Sequence, residues 1–327
     1  MTTTQIPIPL VDDCFMIDNS STEKIMTCRR AAEYYIGYKR QINGSRWALT
    51  FGRIVHKVME VRARLIKSYI TPDVVTAMLT VADEEFKKHQ PPEDDFRNYA
   101  FLVDLINEYN TTYPHESYTT VVHNQKPLIE IGFIHPLGEI TLNTRCAVRN
   151  PDGSITERFV STIKIMQTGR IDQVVSHQDK IFGLDHKTTS MMGPTYFKEF
   201  EMSSQMVAYK WAIETLTGLP VQGFVINALG LRKPTKTGKK LEFQRYVVST
   251  SAESVDEWRR DTLSHLSNYF ADCVEGFTPK GTKWCMGKYG ACEFFDVCTL
   301  PHDQRHTLLN TNNYKTVTWD PLNPDAE

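Results

Sequence analysis

The segment GRIDQVVSHQDKIFGLDHKTTS, residues 169–190, gathers the residue types best suited to chemistry. Asp172 stands near the start of one strand-like run, and Asp185, His186 and Lys187 stand on the next, beyond a short turn near Gln178-Asp179. Side chains two apart on a strand share a face, so Asp185 and Lys187 point together, and a hairpin brings Asp172 alongside them. Two carboxylates and one ammonium converging among apolar residues are costly unless a cation and an anionic substrate join them. That composition suits a hard divalent ion, Mg²⁺ or Mn²⁺, with the lysine beside a metal-held water. The plain alternative is a surface ion pair on a hairpin.

Two helical runs carry a matching period. Gly52, His56 and Glu60 recur every four residues and so share one face, and Gln205 and Tyr209 do the same further along. Sulfur is the third feature. Of seven cysteines, Cys285, Cys292 and Cys298 fall within 14 residues, in WCMGKYGACEFFDVC. Clustering of this kind points to thiolates that share a metal, the alternative being unrelated buried thiols. The odd total, with no basic and apolar leader at residues 1–14, implies a reducing, intracellular compartment rather than a disulfide framework.

The elements that must position these residues follow from periodicity. Residues up to about 20 read as an irregular arm. A capping box at Ser20–Glu23 opens a helix to about Arg40, and Asn43-Gly44 ends it. Further helices are expected at about 51–69, 72–89 and 95–111. From Tyr118 the pattern turns to strands, at 119–123, 127–136, 138–148, 158–177 and 180–189. A helix over about 203–217 ends at Gly218-Leu219-Pro220, strands follow at 221–231 and 241–250, and a last helix spans about 252–274. Helices, then sheet, then helix and sheet again indicate an α/β core with a helical insertion.

Read in order, Gly-x-x-x-His (Gly52, His56), Gly-x-x-Asp (Gly169, Asp172), Asp-x-Lys-Thr (Asp185, Lys187, Thr188) and Gln-x-x-x-Tyr (Gln205, Tyr209) resemble a RecB-like nuclease of the PD-(D/E)XK superfamily, over roughly residues 20–300. The resemblance implies a restriction-endonuclease-like α/β core, a mixed central sheet flanked by helices. Its divisions would be an N-terminal arm and helical region at 1–117, the nuclease core at 118–275 and a cysteine-rich closure with tail at 276–327. It implies a metal site of His56, Asp172, Asp185 and the backbone carbonyl of His186. Lys187 would promote attack by water, and Gln205 and Tyr209 would contact DNA near the scissile phosphate. Glu130 resembles a recurrent glutamate of that family. Iron–sulfur members, among the CRISPR-associated and AddAB-type exonucleases, carry one cysteine before the core and three after it. Cys28 with Cys285, Cys292 and Cys298 matches that set and implies a [4Fe–4S] cluster, with Zn²⁺ as the other candidate because six residues separate Cys285 from Cys292. Cys14, Cys146 and Cys273 read as ordinary thiols.

Composition narrows the partners. Lys and Arg total 37 against 39 Asp and Glu, so no global basic excess marks a nucleic-acid binder, and a local patch must meet any DNA. Residues 28–57 supply one: Arg29, Arg30, Lys39, Arg40, Arg46, Arg53 and Lys57 against Glu33, with Tyr34, Tyr35, Tyr38, Trp47 and Phe51 interleaved. Lys236, Lys239 and Lys240, with Arg232 and Lys233, form a second in a loop between strands. Either patch reads otherwise as a solvated face. No stretch approaches the ~20 apolar residues that cross a bilayer. The expectation is a cytoplasmic Mg²⁺- or Mn²⁺-dependent DNA exonuclease, bacterial or phage-encoded, serving recombination, repair or phage DNA processing with protein partners in recombination or replication. The alternatives are a catalytically silent DNA-binding or partner module of the same fold, and a zinc-stabilised adaptor.

Overall fold

In the computed structural model, which describes residues 5–44, 47–235, 240–287 and 290–317, the apolar spacing is realised as long elements. In chain order they are helices α1 (Asn19–Thr27), α2 (Trp47–Leu65), α3 (Pro72–Lys87) and α4 (Tyr99–Thr112), then strands β1 (Ile129–Arg149), β2 (Ile155–His177) and β3 (Lys180–Thr189). Helix α5 (Ser204–Thr217), strands β4 (Val221–Leu231) and β5 (Leu241–Ser249), and helix α6 (Ala252–Glu275) complete the set. The chain forms two compact units: the first holds Met1–Gly44, Gly132–Gly169 and Asp256–Glu327, the second Ser45–Ile131 and Arg170–Val255. Among the described residues no helix is long and apolar enough to cross a membrane.

The second unit is a mixed α/β layer. The end of β2 pairs antiparallel with β3 from Gln173↔Leu184 to His177↔Lys180. Strand β4 then lies parallel to β3 and antiparallel to β5. Nearly every residue of β4 is buried, as expected for a central strand covered on both faces. One face, with Asn227, Leu229 and Leu231, meets α2, α3 and α4, whose Phe51, Val55, Val58, Met78, Leu105 and Ile106 form the core there. The other face carries Phe224, whose ring lies 6.3 Å from that of Tyr209 on α5. Thr71 caps α3 with Pro72 in its first turn, and Asn98 caps α4 by accepting the Phe101 N–H.

In the first unit, the N-terminal residues are ordered rather than irregular. Ile8–Pro9 pairs parallel to the end of β1, and Cys14–Ile17 pairs parallel to β2. Asp18, not Ser20, caps α1, accepting the Ser21 N–H at 2.8 Å. The helix expected to run to Arg40 stops at Cys28, which is extended (φ −156°, ψ 96°). It restarts as Arg29–Ala32 and a π-helical turn, Glu33–Gly37. The strands expected at 127–136 and 138–148 are one 21-residue strand, because Gly138 continues the ladder instead of breaking it. In the second unit a short helix at Pro194–Glu201 has no counterpart among the expected elements; its eight residues are too few for a clear period.

Candidate active site

The β2–β3 hairpin sets the register that the sequence implies. Beyond the last ladder pair, Gln173↔Leu184, Asp172 takes over from the backbone: its Oδ2 accepts the His186 N–H at 2.7 Å. The same oxygen lies 3.3 Å from Nδ1 of His56 on α2. Gly52, one turn before His56, makes that approach practicable, since a Cβ there would come 3.2 Å from Thr188 Oγ1 on β3. Asp185, only 2% exposed, pairs with Lys187, whose Nζ is 2.8 Å from Asp185 Oδ2 and donates to Gln205 Oε1 at 3.0 Å. Tyr209, one turn beyond Gln205 on α5, is 8% exposed.

Glu130 joins this group. It holds a left-handed backbone conformation (φ 52°) near the start of β1, unusual for a non-glycine residue inside a strand. Its carboxylate, one from Asp172 and a ring nitrogen of His56 all lie within 4.8 Å of one another. Arg170 Nη1 stands 3.7 Å from Glu130 Oε2.

Charge in this site is not evenly balanced. Burial pushes the Glu130 carboxyl up, and the Asp172 charge adds to it, to about 7. Burial also raises Asp185, although the Lys187 ammonium pulls it back. Asp172 goes the other way: burial opposes its charge, but His56 and then His186 hold it well below the usual carboxylate range. For His56, burial would lower the pKa, yet the Asp172 carboxylate lifts it to about 9. Lys187 is likewise penalised by burial and held charged by Asp185. Three carboxylates and an imidazole, two of the carboxylates short of compensating charge, are the hard donor set that a divalent cation takes. The residues therefore fit such an ion, with His56, Glu130 and Asp172 as the preformed part.

Behind the site lies a buried polar chain that sequence spacing does not reveal. His186, pushed down to about 3 by burial, is neutral. Asn227 Nδ2 donates to its Nδ1 at 2.7 Å, while Asn227 Oδ1 accepts from Tyr109 Oη at 3.2 Å. That places the His186 proton on Nε2. Arg245 donates to Tyr109 Oη and to both oxygens of Glu116, and Arg62 donates to Glu116, Asn110 and the Tyr113 carbonyl. These residues are scattered from 62 to 245, so only the fold unites them.

The other expected residues belong to the first unit or to its own surroundings. Cys28, Cys292 and Cys298 pack on one apolar cluster with Ala31, Tyr34, Phe294, Val297, Leu309 and Tyr314. Cys292 N donates to the Cys285 carbonyl at 2.9 Å, and Gly281 N donates to Cys28 Sγ at 3.3 Å. Only glycine fits at 281, where a Cβ would meet the Thr27 carbonyl oxygen at 1.9 Å. Burial raises the Cys298 thiol, and Cys28 raises it further. Among the described residues no three of these sulfurs lie within 4.8 Å of one another.

Of the expected DNA contacts, Arg29 pairs with Asp272 at 2.9 Å. Arg30 is 5% exposed, with its guanidinium bound to the Thr278 carbonyl and hydroxyl. In the second unit Arg53 is exposed on α2, and Lys240 pairs with Asp104. Arg46, Lys236 and Lys239 lie outside the described residues.

The family model described as the PD-(D/E)XK nuclease superfamily matches residues 19–299. No curated protein matches the sequence. Among solved structures, "Putative exonuclease" from Eubacterium rectale is similar at 11% identity and a TM-score of 0.41, with 86% of each chain covered. A second, SSO0001, is similar at 11% identity and a TM-score of 0.29, over 78% of this chain and 97% of the other. Likenesses this loose carry no argument of their own.

Proposed function

We propose that this chain, which belongs to the PD-(D/E)XK nuclease superfamily, is a Mg²⁺- or Mn²⁺-dependent DNA exonuclease. What carries the reading is the convergence of Glu130 from β1, Asp172 from β2 and His56 from α2 beside the Asp185–Lys187 pair on β3. His56, Glu130, Asp172, Asp185 and the His186 carbonyl are the groups that would hold the cation. Once bound, the ion supplies positive charge to the scissile phosphate.

The chain's own residues do the rest. The His186 N–H fixes the orientation of Asp172, and the Asn227–Tyr109–Arg245 chain holds the His186 ring in turn. Lys187 Nζ, shared between Asp185 and Gln205, keeps a proton and a positive charge where the attacking water and the phosphate meet. Gln205 holds that ammonium in place from α5, and Tyr209 packs the same helix face against Phe224. The test is linear DNA labelled at either end, single- and double-stranded, beside a covalently closed circle, with Mn²⁺ or with chelator. Shortening of linear DNA only with metal, the circle staying intact, is expected. Cutting of the circle would replace the exonuclease reading by an endonuclease. Binding without cleavage would favour a silent DNA-binding module.

The second part of the reading concerns Cys28, Cys285, Cys292 and Cys298 as ligands of one [4Fe–4S] cluster. Supporting it are the apolar seat shared by Cys28, Cys292 and Cys298, the Cys292 N–H donated to the Cys285 carbonyl and the N–H donated to Cys28 Sγ. Close to four iron atoms per chain in anaerobically purified protein is the expected result; one zinc and no iron would overturn the cluster and leave the nuclease standing. A role in recombination, repair or phage DNA processing would follow from such an end-directed activity.

A further inference from the structure

The first unit encloses a cavity of about 800 Å³, well within the range of small-molecule sites. Its wall carries Lys39, Arg40 and Arg149, and among the described residues none of the three has a carboxylate bonded to it. Arg149 donates from Nε to the Gly37 carbonyl at 2.9 Å and from Nη1 to the Gly153 carbonyl at 3.1 Å. Arg40 donates to Thr316 Oγ1 and Asn310 Oδ1. Among the described residues the Lys39 ammonium has no hydrogen-bond or ion-pair partner, and the field of Asp18 favours its charge. Asp152 also lines the cavity, but its Oδ1 is engaged by the backbone and hydroxyl of Ser154.

Two cations here oppose each other. Burial lowers the Lys39 pKa and Arg149 lowers it further; burial lowers Arg149 too, with Arg40 adding to the effect. Lys39 also sits in a left-handed backbone conformation (φ 54°), where asparagine or glycine would be less strained. A lysine held against its own backbone preference, lining a cavity with no bonded partner among the described residues, calls for an anion. Bare phosphate would leave most of the space unfilled. Beside the polar groups Ser21, Asn150, Asn310 and Thr316, the wall carries an apolar and aromatic part, Leu10, Met16, Ile36 and Ile134 with Tyr38, whose ring meets the His306 ring edge to face at 4.5 Å.

We propose that this cavity binds a phosphorylated nucleotide, with the phosphate on Lys39, Arg40 and Arg149 and the base against the apolar and aromatic wall. The source is either a free mononucleotide or the phosphorylated end of a strand. The inference does not rest on the nuclease reading, and its test uses binding alone. Full-length protein in chelator would be titrated with dAMP, deoxyadenosine, inorganic phosphate, and a short single strand with a 5′-phosphate or a 5′-hydroxyl.

Lys39→Asn suits the local φ and removes no side-chain bond, so its melting temperature should match or exceed wild type. It should nevertheless weaken the phosphorylated ligand by ~10-fold or more. Lys87→Asn, which removes an exposed cation of the second unit, should bind as wild type does. Saturable binding of dAMP assigns the free nucleotide. Binding only of the 5′-phosphorylated strand, lost in Lys39→Asn, assigns the strand end. Deoxyadenosine binding as tightly as dAMP, no saturable binding of any phosphorylated ligand, or wild-type affinity in Lys39→Asn would overturn the proposal.

Discussion

Asp172, Asp185 and Lys187 lie within sixteen residues on two hydrogen-bonded strands, whereas about 270 residues separate Cys28 from Cys298. The carboxylates already have partners supplied by the second unit: a backbone N–H for Asp172 and the Lys187 ammonium for Asp185. The cysteines have an apolar seat, but their sulfurs are not drawn together by any bond among themselves. The first group is preorganised by register. Under the proposed cluster assignment, removal of the iron should leave the former folded and loosen the latter.

The largest way to break this contrast is at the hairpin. Asp172→Asn or Lys187→Ala should lower metal-dependent DNA cleavage roughly 1,000-fold while the melting temperature stays near wild type. Cleavage within a few-fold of wild type in either variant would remove those residues from the site. Next, Cys28→Ala should abolish iron binding and lower stability by ~4–5 kcal/mol, the cross-link estimate for so long a loop. Cys146→Ala should keep the iron, because Cys146 lies on β1, outside the apolar cluster that seats Cys28, Cys292 and Cys298; equal iron loss in both would end the four-cysteine assignment.

A smaller effect sharpens the view that buried polar groups hold the carboxylate site from behind. Burial would raise Glu116, but Arg245 and then Arg62 outweigh it, so its folded pKa is depressed. Its stabilisation is therefore complete above the ordinary carboxylate pKa of about 4.3 and fades as pH falls through the folded value. Glu116→Gln should cost ~3–4 kcal/mol near neutrality, measured by denaturant unfolding, and flatten the acid limb of the stability profile. An unchanged acid limb would mean that the pair is not formed in solution. The smallest effect belongs to Gly52→Ala. The added methyl should cost ~1 kcal/mol and a few-fold in activity, and Thr188→Ala in the same chain should restore much of both. Independent, additive losses would deny the contact.

Local pattern carried much of this. The hairpin, the Gln205–Tyr209 helix and the long helix near 252–274 were legible because each side-chain period spans many residues. Asp172 and Asp185 were legible because strand geometry fixes their faces. What escaped depends on distant residues. No local rule signals that Cys28 interrupts a helix, since its neighbours Thr27 and Arg29 suit one. Glu130 was noticed only through its resemblance to a family glutamate, because a left-handed residue inside β1 contradicts its strand-like surroundings. The Asn227–Tyr109–Arg245–Glu116 chain draws on four elements and segments whose order in sequence says nothing of their meeting.

The division of the chain also sets a timetable for its synthesis. The second unit is complete once residue 255 has emerged, while the first unit still lacks Asp256–Glu327. Cys28 is made early but Cys298 follows it by about 270 residues, which at ribosomal speed is roughly 15–50 s. Through that interval a nascent chain can hold a finished carboxylate site while its first cysteine stands without its three companions. Under the proposed cluster assignment, closure of the first unit by its sulfur ligands would be a late event of biosynthesis, and limiting iron during growth should yield a protein with an intact hairpin and an unclosed first unit.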